Sequence, residues 1–398
     1  MPVNTNNIRL VMKKLIIVLA GFILFLVPLN AQDESEEKTI RPFQLSLIPG
    51  IGTEGIYSTD NIYNLSFNIF AGLTGGVDGL EIGGFMNINR FSMNGFQASG
   101  FGNIVNGTAD GLQAAGFFNL NNLYTNGLQV AGFANVVNYD ANVLQVSGFA
   151  NVIDGHNAGI QASGFFNFTA FDGDMVQAAG FMNYTGGVLK GVQAAGFANI
   201  AREVDGMQAA GFLNIARKVN GLQVGMVNIA DSLDGLPLGL LSIVRGGYRK
   251  AEFSVGDALN LHMGFKIGVK RFYNIFSMGT QFTGERSAFL LGYGIGSEFN
   301  HMNDQYINIE MHSNQVVKKG WLKSDGSNML HQLKVSYAKD LDPRWQFFIG
   351  PVLNIQTVRA DPETGEWINF SPYSILDFSS DRRETRLWLG VNLGVRFW

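Results

Sequence analysis

The side chains that could do chemistry are few and widely spaced. The chain has five histidines and no cysteine, so disulfides and thiolate metal sites are excluded. No histidine has the HExxH spacing that places two zinc ligands on one helix face. His301, Asp304, Glu310 and His312 are the closest approach to a metal cluster, but their strand-like spacing favours a polar loop and its edge. We therefore predict no metal and no cofactor.

Three further motifs match known sites only in their letters. Ser336 to Lys339 fits the SxxK of serine acyl enzymes, but that motif needs a helix and this segment alternates as a strand. Gly292 to Gly296 has glycines in period two and no helix behind it to bind a phosphate. Asp361 to Glu366 is acidic enough for weak calcium binding, although a plain turn is the simpler interpretation. The sequence therefore predicts no catalytic residues and a protein that is not an enzyme.

The most specific feature is a tandem repeat. Glutamines recur every sixteen residues from Gln97 to Gln193, and Gln208 and Gln223 follow at fifteen. Each begins the block Gln-x-(Ala/Ser)-Gly-Phe-x-Asn or a close variant. Glu81 occupies the glutamine position in the first copy, and Pro237 does so in the last. A short fixed period indicates units that pack against their neighbours rather than around one core.

Within each block apolar and polar residues alternate, which is typical of a strand, and turn residues separate the blocks. Stacking identical units places like side chains about 4.8 Å apart, so that side-chain amides can satisfy one another in ladders. We predict internal structural ladders from residues 78–245, a parallel β-solenoid of about ten coils. The ladder residues are represented by Gln113, Phe117, Asn119, Gln129, Phe133, Asn135, Gln145, Phe149 and Asn151.

The alternative is one large antiparallel transmembrane barrel that includes the repeats, because ten residues suffice for a membrane-spanning strand. Barrels alternate short turns with long loops, whereas these connections all stay near six residues. The repeat also offers Ala, Ser and Gly where lipid-facing strands carry bulky residues. These features favour the solenoid.

Residues 246–398 alternate differently, and the final strand from Leu387 has one continuously apolar face. This pattern is typical of an antiparallel meander that forms an outer-membrane β-barrel. The chain ends on Phe397 and Trp398, which resembles the terminal signal of such barrels. Residues 42–77 also alternate, so we predict leading antiparallel strands that close the barrel against the last strand, with the repeats inserted between them.

The amino terminus has the form of an export signal. Lys13 and Lys14 precede an uncharged apolar run from Leu15 to Leu29, and Ala31 offers a cleavage site. We predict a signal peptide over residues 1–31, an acidic linker over 32–41, and an outer-membrane or cell-surface location. A periplasmic or secreted protein is the alternative. A net charge of −4 and only 15% charged residues disfavour nucleic acid as a partner.

The repeat blocks at 191–201 and 221–230 resemble those of surface-repeat-containing proteins of Gram-negative bacteria. The resemblance covers roughly residues 64–245, and the stretch from Tyr248 to Phe276 is also similar. It implies an exported protein of the cell envelope and supplies no catalytic residues. Some members of that family are lipoproteins, and this chain departs from them because it has no cysteine.

These observations predict a non-enzymatic outer-membrane or cell-surface repeat protein that acts as a scaffold or binding surface. Its expected partners are outer-membrane lipid and a glycan or surface-protein ligand. The alternative is a barrel channel or uptake protein for small solutes. In that case the polar lining would include Lys266, Lys270, Asn392 and Arg396.

Overall fold

The computed structural model describes residues 39–283, 286–317, 328–359, 370–371, 373–380 and 383–397. It divides after Gly225 into two compact units. The predicted all-β fold is confirmed: the chain contains a parallel solenoid of about 11 turns and a closed, eight-stranded antiparallel barrel. Within the described ranges no helix has the length and apolarity needed to cross a bilayer. The predicted signal peptide lies outside these residues, as do most of the acidic linker and Trp398.

The first unit is built from short strands and one 3-10 turn at Gly55–Asp60. Its strands are β1 Thr39–Ile48, β2 Ile51–Gly52, β3 Asn61–Asn68, β4 Ala71–Gly83, β5 Met86–Ser99, β6 Gly102–Val105, β7 Thr108–Ala115, β8 Phe118–Asn121, β9 Thr125–Ala131, β10 Ala134–Val137, β11 Ala141–Ser147, β12 Ala150–Ile153, β13 Asn157–Ser163, β14 Phe166–Thr169, β15 Gly173–Ala179, β16 Met182–Ala195, β17 Ala198–Ala210 and β18 Leu213–Val224.

Each coil has a long arm and a short arm, joined at a corner that carries the repeat phenylalanine. In one coil β7 is the long arm, β8 is the short arm and Phe117 lies between them. Equivalent arms of successive coils pair in parallel and in register, so that Gln113 lies opposite Gln129 and Asn119 opposite Asn135. This pairing excludes the alternative in which the repeats are antiparallel barrel strands.

Two glycines in most coils allow the backbones to approach closely. Gly127 has a φ of +116°, and a Cβ there would lie 2.0 Å from the carbonyl oxygen of Gly111 in the preceding coil. The glycine before each corner is equally constrained, since a Cβ on Gly116 would lie 2.0 Å from Gly100 O. The position before the corner therefore requires glycine, whereas the position of Gly127 is filled by Val143 and Met175 in two other coils, without a positive φ.

The predicted role of residues 42–77 was wrong. β1 pairs in parallel with β3, and β3 pairs in parallel with β4, so this segment forms the first coils of the solenoid. Only the two-residue strand β2 runs antiparallel, against the end of β1. The repeats are therefore not an insertion within a barrel.

The second unit starts with one further parallel coil and continues as the antiparallel barrel. Its strands are β19 Val227–Leu238, β20 Leu241–Val244, β21 Tyr248–Gly256, β22 Leu261–Val269, β23 Phe272–Thr283, β24 Arg286–Met302, β25 Gln305–Val317, β26 Met329–Asp340, β27 Trp345–Arg359, β28 Leu376–Ser380 and β29 Arg383–Phe397. β21 to β27 pair consecutively, β27 pairs with β29, and β29 pairs with β21 to close the barrel. β28 pairs with the first part of β29.

The two ends of the barrel differ. The connections 270–271, 303–304 and 341–344 are short and lie at the end where β21 begins and β29 stops. At the opposite end the connections 318–328 and 360–375 are much longer. The coil of β19 and β20 lies at the short-turn end, because Asn274 in β23 donates to Gly239 O at 2.8 Å and accepts from the Ser242 amide at 2.8 Å.

Candidate functional site

The barrel strands place mainly polar side chains inside and apolar side chains outside, and an apolar cluster that includes Leu290, Leu330 and Trp388 also lies inside. In β22, His262 and Lys266 are buried inside, while Met263 and Phe265 on the opposite face are 38% and 39% exposed. The outward face of the barrel carries a continuous set of exposed apolar side chains, including Phe276, Leu291, Ile309, Leu333, Val335, Ile349, Val391 and Leu393. An ordinary soluble barrel has the reverse arrangement, with apolar residues inside.

The barrel interior contains a cluster of paired charges. Lys266 Nζ lies 2.5 Å from Glu252 Oε2 and 2.5 Å from Glu310 Oε1. Arg396 Nε lies 2.7 Å from Glu252 Oε2, and its Nη2 lies 3.4 Å from Glu310 Oε1. All four side chains are 0–1% exposed. Two carboxylates and two cations thus neutralise one another, as buried charges must.

A second polar layer lies beside this cluster. His312 Nε2 is 3.3 Å from Glu310 Oε2, and His262 Nδ1 is 3.2 Å from Ser254 Oγ. His262 Nε2 and His312 Nδ1 are buried without a hydrogen-bond partner. A cavity of about 10 Å³ lies against His262 and Lys334, which is the volume of a single water. The interior is thus filled by side chains.

The geometry tests the motifs in the sequence. Ser336 is buried in β26 while Lys339, three residues on, is exposed, so the SxxK letters lie on opposite faces of a strand. Glu310 and His312 meet inside the barrel, whereas His301 and Asp304 lie exposed at the β24–β25 hairpin. Among the described residues, no group of three His, Asp or Glu side chains could hold a metal ion.

No family model, curated protein or solved structure matches the chain. The geometry of the two units therefore carries the functional argument.

The solenoid interior holds two amide ladders that run in opposite directions. Each repeat glutamine donates through Nε2 to Oε1 of the glutamine one coil earlier, as Gln145 does to Gln129 at 2.8 Å. Each repeat asparagine donates through Nδ2 to Oδ1 of the asparagine one coil later, as Asn135 does to Asn151 at 2.9 Å. Because the two series point opposite ways, their amide dipoles oppose one another along the solenoid axis.

Glu81 ends the glutamine ladder. It accepts from Gln97 Nε2 at 2.9 Å, Asn89 Nδ2 at 3.0 Å, Asn68 Nδ2 at 3.0 Å and Ser66 Oγ at 3.2 Å. A carboxylate suits the first rung because it only accepts hydrogen bonds. An amide N–H at this position would have no earlier glutamine to which it could donate. Burial raises the pKa of Glu81 above its ordinary value, and the four donors offset part of that rise.

The phenylalanines stack, but at the surface and not in the interior. Successive rings from Phe85 to Phe212 lie 4.7–5.2 Å apart and within 14° of parallel. Phe117 is 40% exposed, whereas Gln113 and Asn119 are 0–1% exposed. Their position corrects the prediction of an internal phenylalanine ladder and leaves an apolar stack on the surface.

The remaining predicted residues divide by face. Lys266, Asn392 and Arg396 point into the barrel, while Lys270 is half-exposed and lies 3.4 Å from Glu298. Phe397 stacks on Phe253 with ring centroids 5.8 Å apart, on the pair of strands that closes the barrel. The sequence analysis missed Glu252, His262 and Lys334. Each occupies the small or polar face of an alternating strand, which is the signal that could have found them.

Proposed function

We propose that the protein is a non-enzymatic outer-membrane protein, in which the barrel is the membrane anchor and the solenoid is a rigid scaffold or binding surface. The observation that carries the proposal is the inverted polarity of the barrel. Apolar side chains cover its outside, and a buried cluster of paired charges lies inside. Water would not stabilise such a surface, whereas a bilayer would.

The filled interior argues for an anchor and against a channel. Lys266 and Arg396, two residues of the lining expected for a channel, are 0% and 1% exposed. Each is held by Glu252 on a neighbouring strand and by Glu310 across the barrel. Eight strands leave an interior just wide enough for their own side chains. We therefore expect no ion conductance from the folded barrel in planar bilayers.

The unequal ends of the barrel suggest its orientation. Outer-membrane barrels turn tightly on the periplasmic side and carry their long loops outside. The chain enters β21 at Tyr248, at the short-turn end. We infer that the coil of β19 and β20, which lies at the same end, faces the periplasm.

The membrane anchor is tested by fractionation and by heat-modifiable mobility of detergent-extracted outer membranes. We expect a compact, heat-shifted species in the outer-membrane fraction. Recovery of the folded protein in the soluble periplasmic fraction would refute the anchor.

A matched pair of variants tests which surface meets lipid. Val335→Lys changes a 39% exposed residue in the middle of β26, and Leu341→Lys changes a 66% exposed residue in a short turn. In water both lysines would be solvated and harmless. In a bilayer only Val335→Lys places a charge in the hydrocarbon, at a cost of about 2–4 kcal/mol. Equal folding yields for the two variants would contradict the proposal.

Orientation is tested by labelling single cysteines, which the chain allows because it has none. Tyr139→Cys lies on an exposed solenoid turn, and Ser380→Cys lies exposed at the end of β28, at the barrel end opposite the short turns. With a membrane-impermeant maleimide we expect Ser380→Cys to react in intact cells and Tyr139→Cys only after the outer membrane is permeabilised. The reverse pattern would place the solenoid on the cell surface.

A further inference from the structure

One face of the first unit is an exposed apolar wall. It consists of three parallel stripes along the outer side of the long arms: an aliphatic stripe, a small-residue stripe and the phenylalanine stack. In one coil these are Leu144, Val146 and Phe149. The aliphatic stripe runs through Leu112, Leu128, Leu144, Ile160, Val176, Val192, Met207 and Leu222, and the small-residue stripe through Ala114, Val130, Val146, Ala162, Ala178, Ala194, Ala209 and Val224.

The apolar wall has a larger exposed area than the apolar patches found on most monomeric proteins. Six of its rings, including Phe117 and Phe197, are 37–42% exposed. These six rings expose about 400 Å², and the other three, Phe101, Phe133 and Phe149, are partly exposed. The aliphatic stripe adds to this, since Leu144 is 37% and Ile160 is 42% exposed. The total approaches the roughly 800 Å² that each partner contributes to a stable interface, and exceeds the largest patch of a typical monomer.

The border of the wall fits a protein partner better than a bilayer. Surfaces that rest on membranes carry Trp and Tyr anchors and basic residues. All five tryptophans lie beyond residue 320. The row that borders the aliphatic stripe holds Asp110, Asn126, Asp174, Lys190 and Asp205, so it is mainly acidic or amide.

The regular spacing of the stripes indicates what kind of partner can fit the wall. Each stripe repeats once per coil, with rings 4.7–5.2 Å apart. A partner must carry apolar groups at the same spacing to fit along the whole length, and a second copy of this chain does so at every coil. Between the phenylalanine stack and the aliphatic stripe the small residues line a groove of about 700 Å³ that includes Ala162, Ala178 and Ala194. Two flat sheets with such side chains can pack face to face about 10 Å apart.

We propose that the apolar wall is a self-association surface, and that two copies of the chain pack wall against wall as a two-fold dimer. The pairing is isologous, because the same stripes face one another in both copies. This inference rests on the first unit alone and does not depend on the barrel being a membrane anchor.

Disulfide crosslinking in native membranes tests the dimer without detergent, which would compete for an apolar surface. Ala162→Cys lies in the middle of the wall, and Tyr139→Cys, 53% exposed on a turn, is the control. After oxidation we expect a crosslinked dimer from Ala162→Cys and little from Tyr139→Cys. Failure of Ala162→Cys to crosslink, with an attached environment-sensitive dye reporting an apolar surrounding, would indicate lipid on the wall and overturn the proposal.

A second pair of variants separates association from folding. Ala162→Lys places a charge in the small-residue stripe, whereas Ala158→Lys places one in the bordering row, at the position that Lys190 occupies two coils later. With a crosslinkable Ala194→Cys in both backgrounds, we expect Ala162→Lys to reduce the dimer at least tenfold and Ala158→Lys to leave it unchanged. Unchanged crosslinking in the Ala162→Lys protein, with far-UV circular dichroism equal to that of the Ala158→Lys protein, would refute the wall as the interface.

Discussion

Replacing one glutamine of the interior ladder should destabilise the solenoid more than replacing the last one. Gln145 donates to Gln129 Oε1 at 2.8 Å and accepts from Gln161 Nε2 at 2.9 Å. Gln145→Leu therefore removes a partner on each side. Gln223 donates to Gln208 Oε1 at 2.9 Å, while its own Oε1 is buried without a partner. Gln223→Leu leaves only one group newly unpaired and removes a carbonyl that was unpaired already.

The expected magnitudes follow from this count. A buried polar group left without a partner costs about 1–3 kcal/mol. Gln145→Leu strands two such groups, so we expect a loss of about 2–6 kcal/mol in the free energy of unfolding of the solenoid. Gln223→Leu leaves Gln208 Oε1 without a partner and removes the unpaired Oε1 of Gln223 itself. Its net cost in the free energy of unfolding should therefore lie below about 1 kcal/mol. Leucine is buried favourably at both positions, which makes the difference between the variants more informative than either value.

The assay can monitor the two units separately. All five tryptophans lie between residues 321 and 398, so tryptophan fluorescence follows only the second unit. Far-UV circular dichroism follows both. In urea titrations of the full chain we expect Gln145→Leu to lower the midpoint detected by circular dichroism and to leave the fluorescence transition in place.

The comparison can refute the reasoning directly. If Gln145→Leu and Gln223→Leu lower the midpoint equally, or if Gln145→Leu has no effect, hydrogen bonds along the ladder do not determine solenoid stability. Stability would then come from backbone pairing and apolar packing alone.

Three further changes test other parts of the fold. Burial raises the pKa of Glu81, so ionising this carboxyl is less favourable in the folded solenoid than in the unfolded chain. The stability of the solenoid should fall as pH rises through that raised pKa, and Glu81→Gln should remove this dependence in urea midpoints measured from pH 4 to 8; an unchanged pH profile would contradict it. Gly127→Ala forces a Cβ to 2.0 Å from Gly111 O at a φ of +116°, so thermal unfolding followed by circular dichroism should show a loss of several degrees, unlike an alanine at an exposed turn position. Arg396→Met leaves Lys266 to pair with both Glu252 and Glu310, so one buried negative charge is uncompensated, at a cost of about 3–5 kcal/mol. The compact band of the barrel should therefore disappear at a lower temperature than in Arg396→Lys.

Much of the solenoid could be predicted from the sequence, because each residue has the equivalent residues of the preceding and following coils as its neighbours. A sixteen-residue period fixes the neighbour of every residue, so Gln129 had to lie beside Gln113 and Gln145. Which stripe faces inward is not fixed by the period. Phe117 and Asn119 lie two residues apart, yet the corner at Gly116 turns Phe117 to the surface and Asn119 to the core. An alternating strand pattern cannot show such a corner.

The prediction of which strand closes the barrel was wrong for a different reason. Residues 42–77 and 246–256 both alternate, and alternation does not distinguish parallel from antiparallel partners. β1 pairs with β3 in the solenoid because its neighbour along the chain is another coil. The partner that closes β29 is β21, at residues 392–397 against 251–256, and only the three-dimensional pairing identifies it.

Both units bury polar side chains, and they satisfy those side chains in different ways. In the solenoid one amide type recurs in every coil, so a single rule, each glutamine bonded to the one before it, satisfies the interior. The barrel has no translational repeat, so Glu310 and Arg396 need partners placed individually from strands far apart in the chain. Loss of one rung therefore affects two neighbours, whereas loss of one barrel charge leaves the remaining charges unbalanced in a water-poor interior. This difference also explains why the sequence reveals the ladder and conceals the cluster, since a repeated contact leaves a period in the sequence and an individually placed contact leaves none.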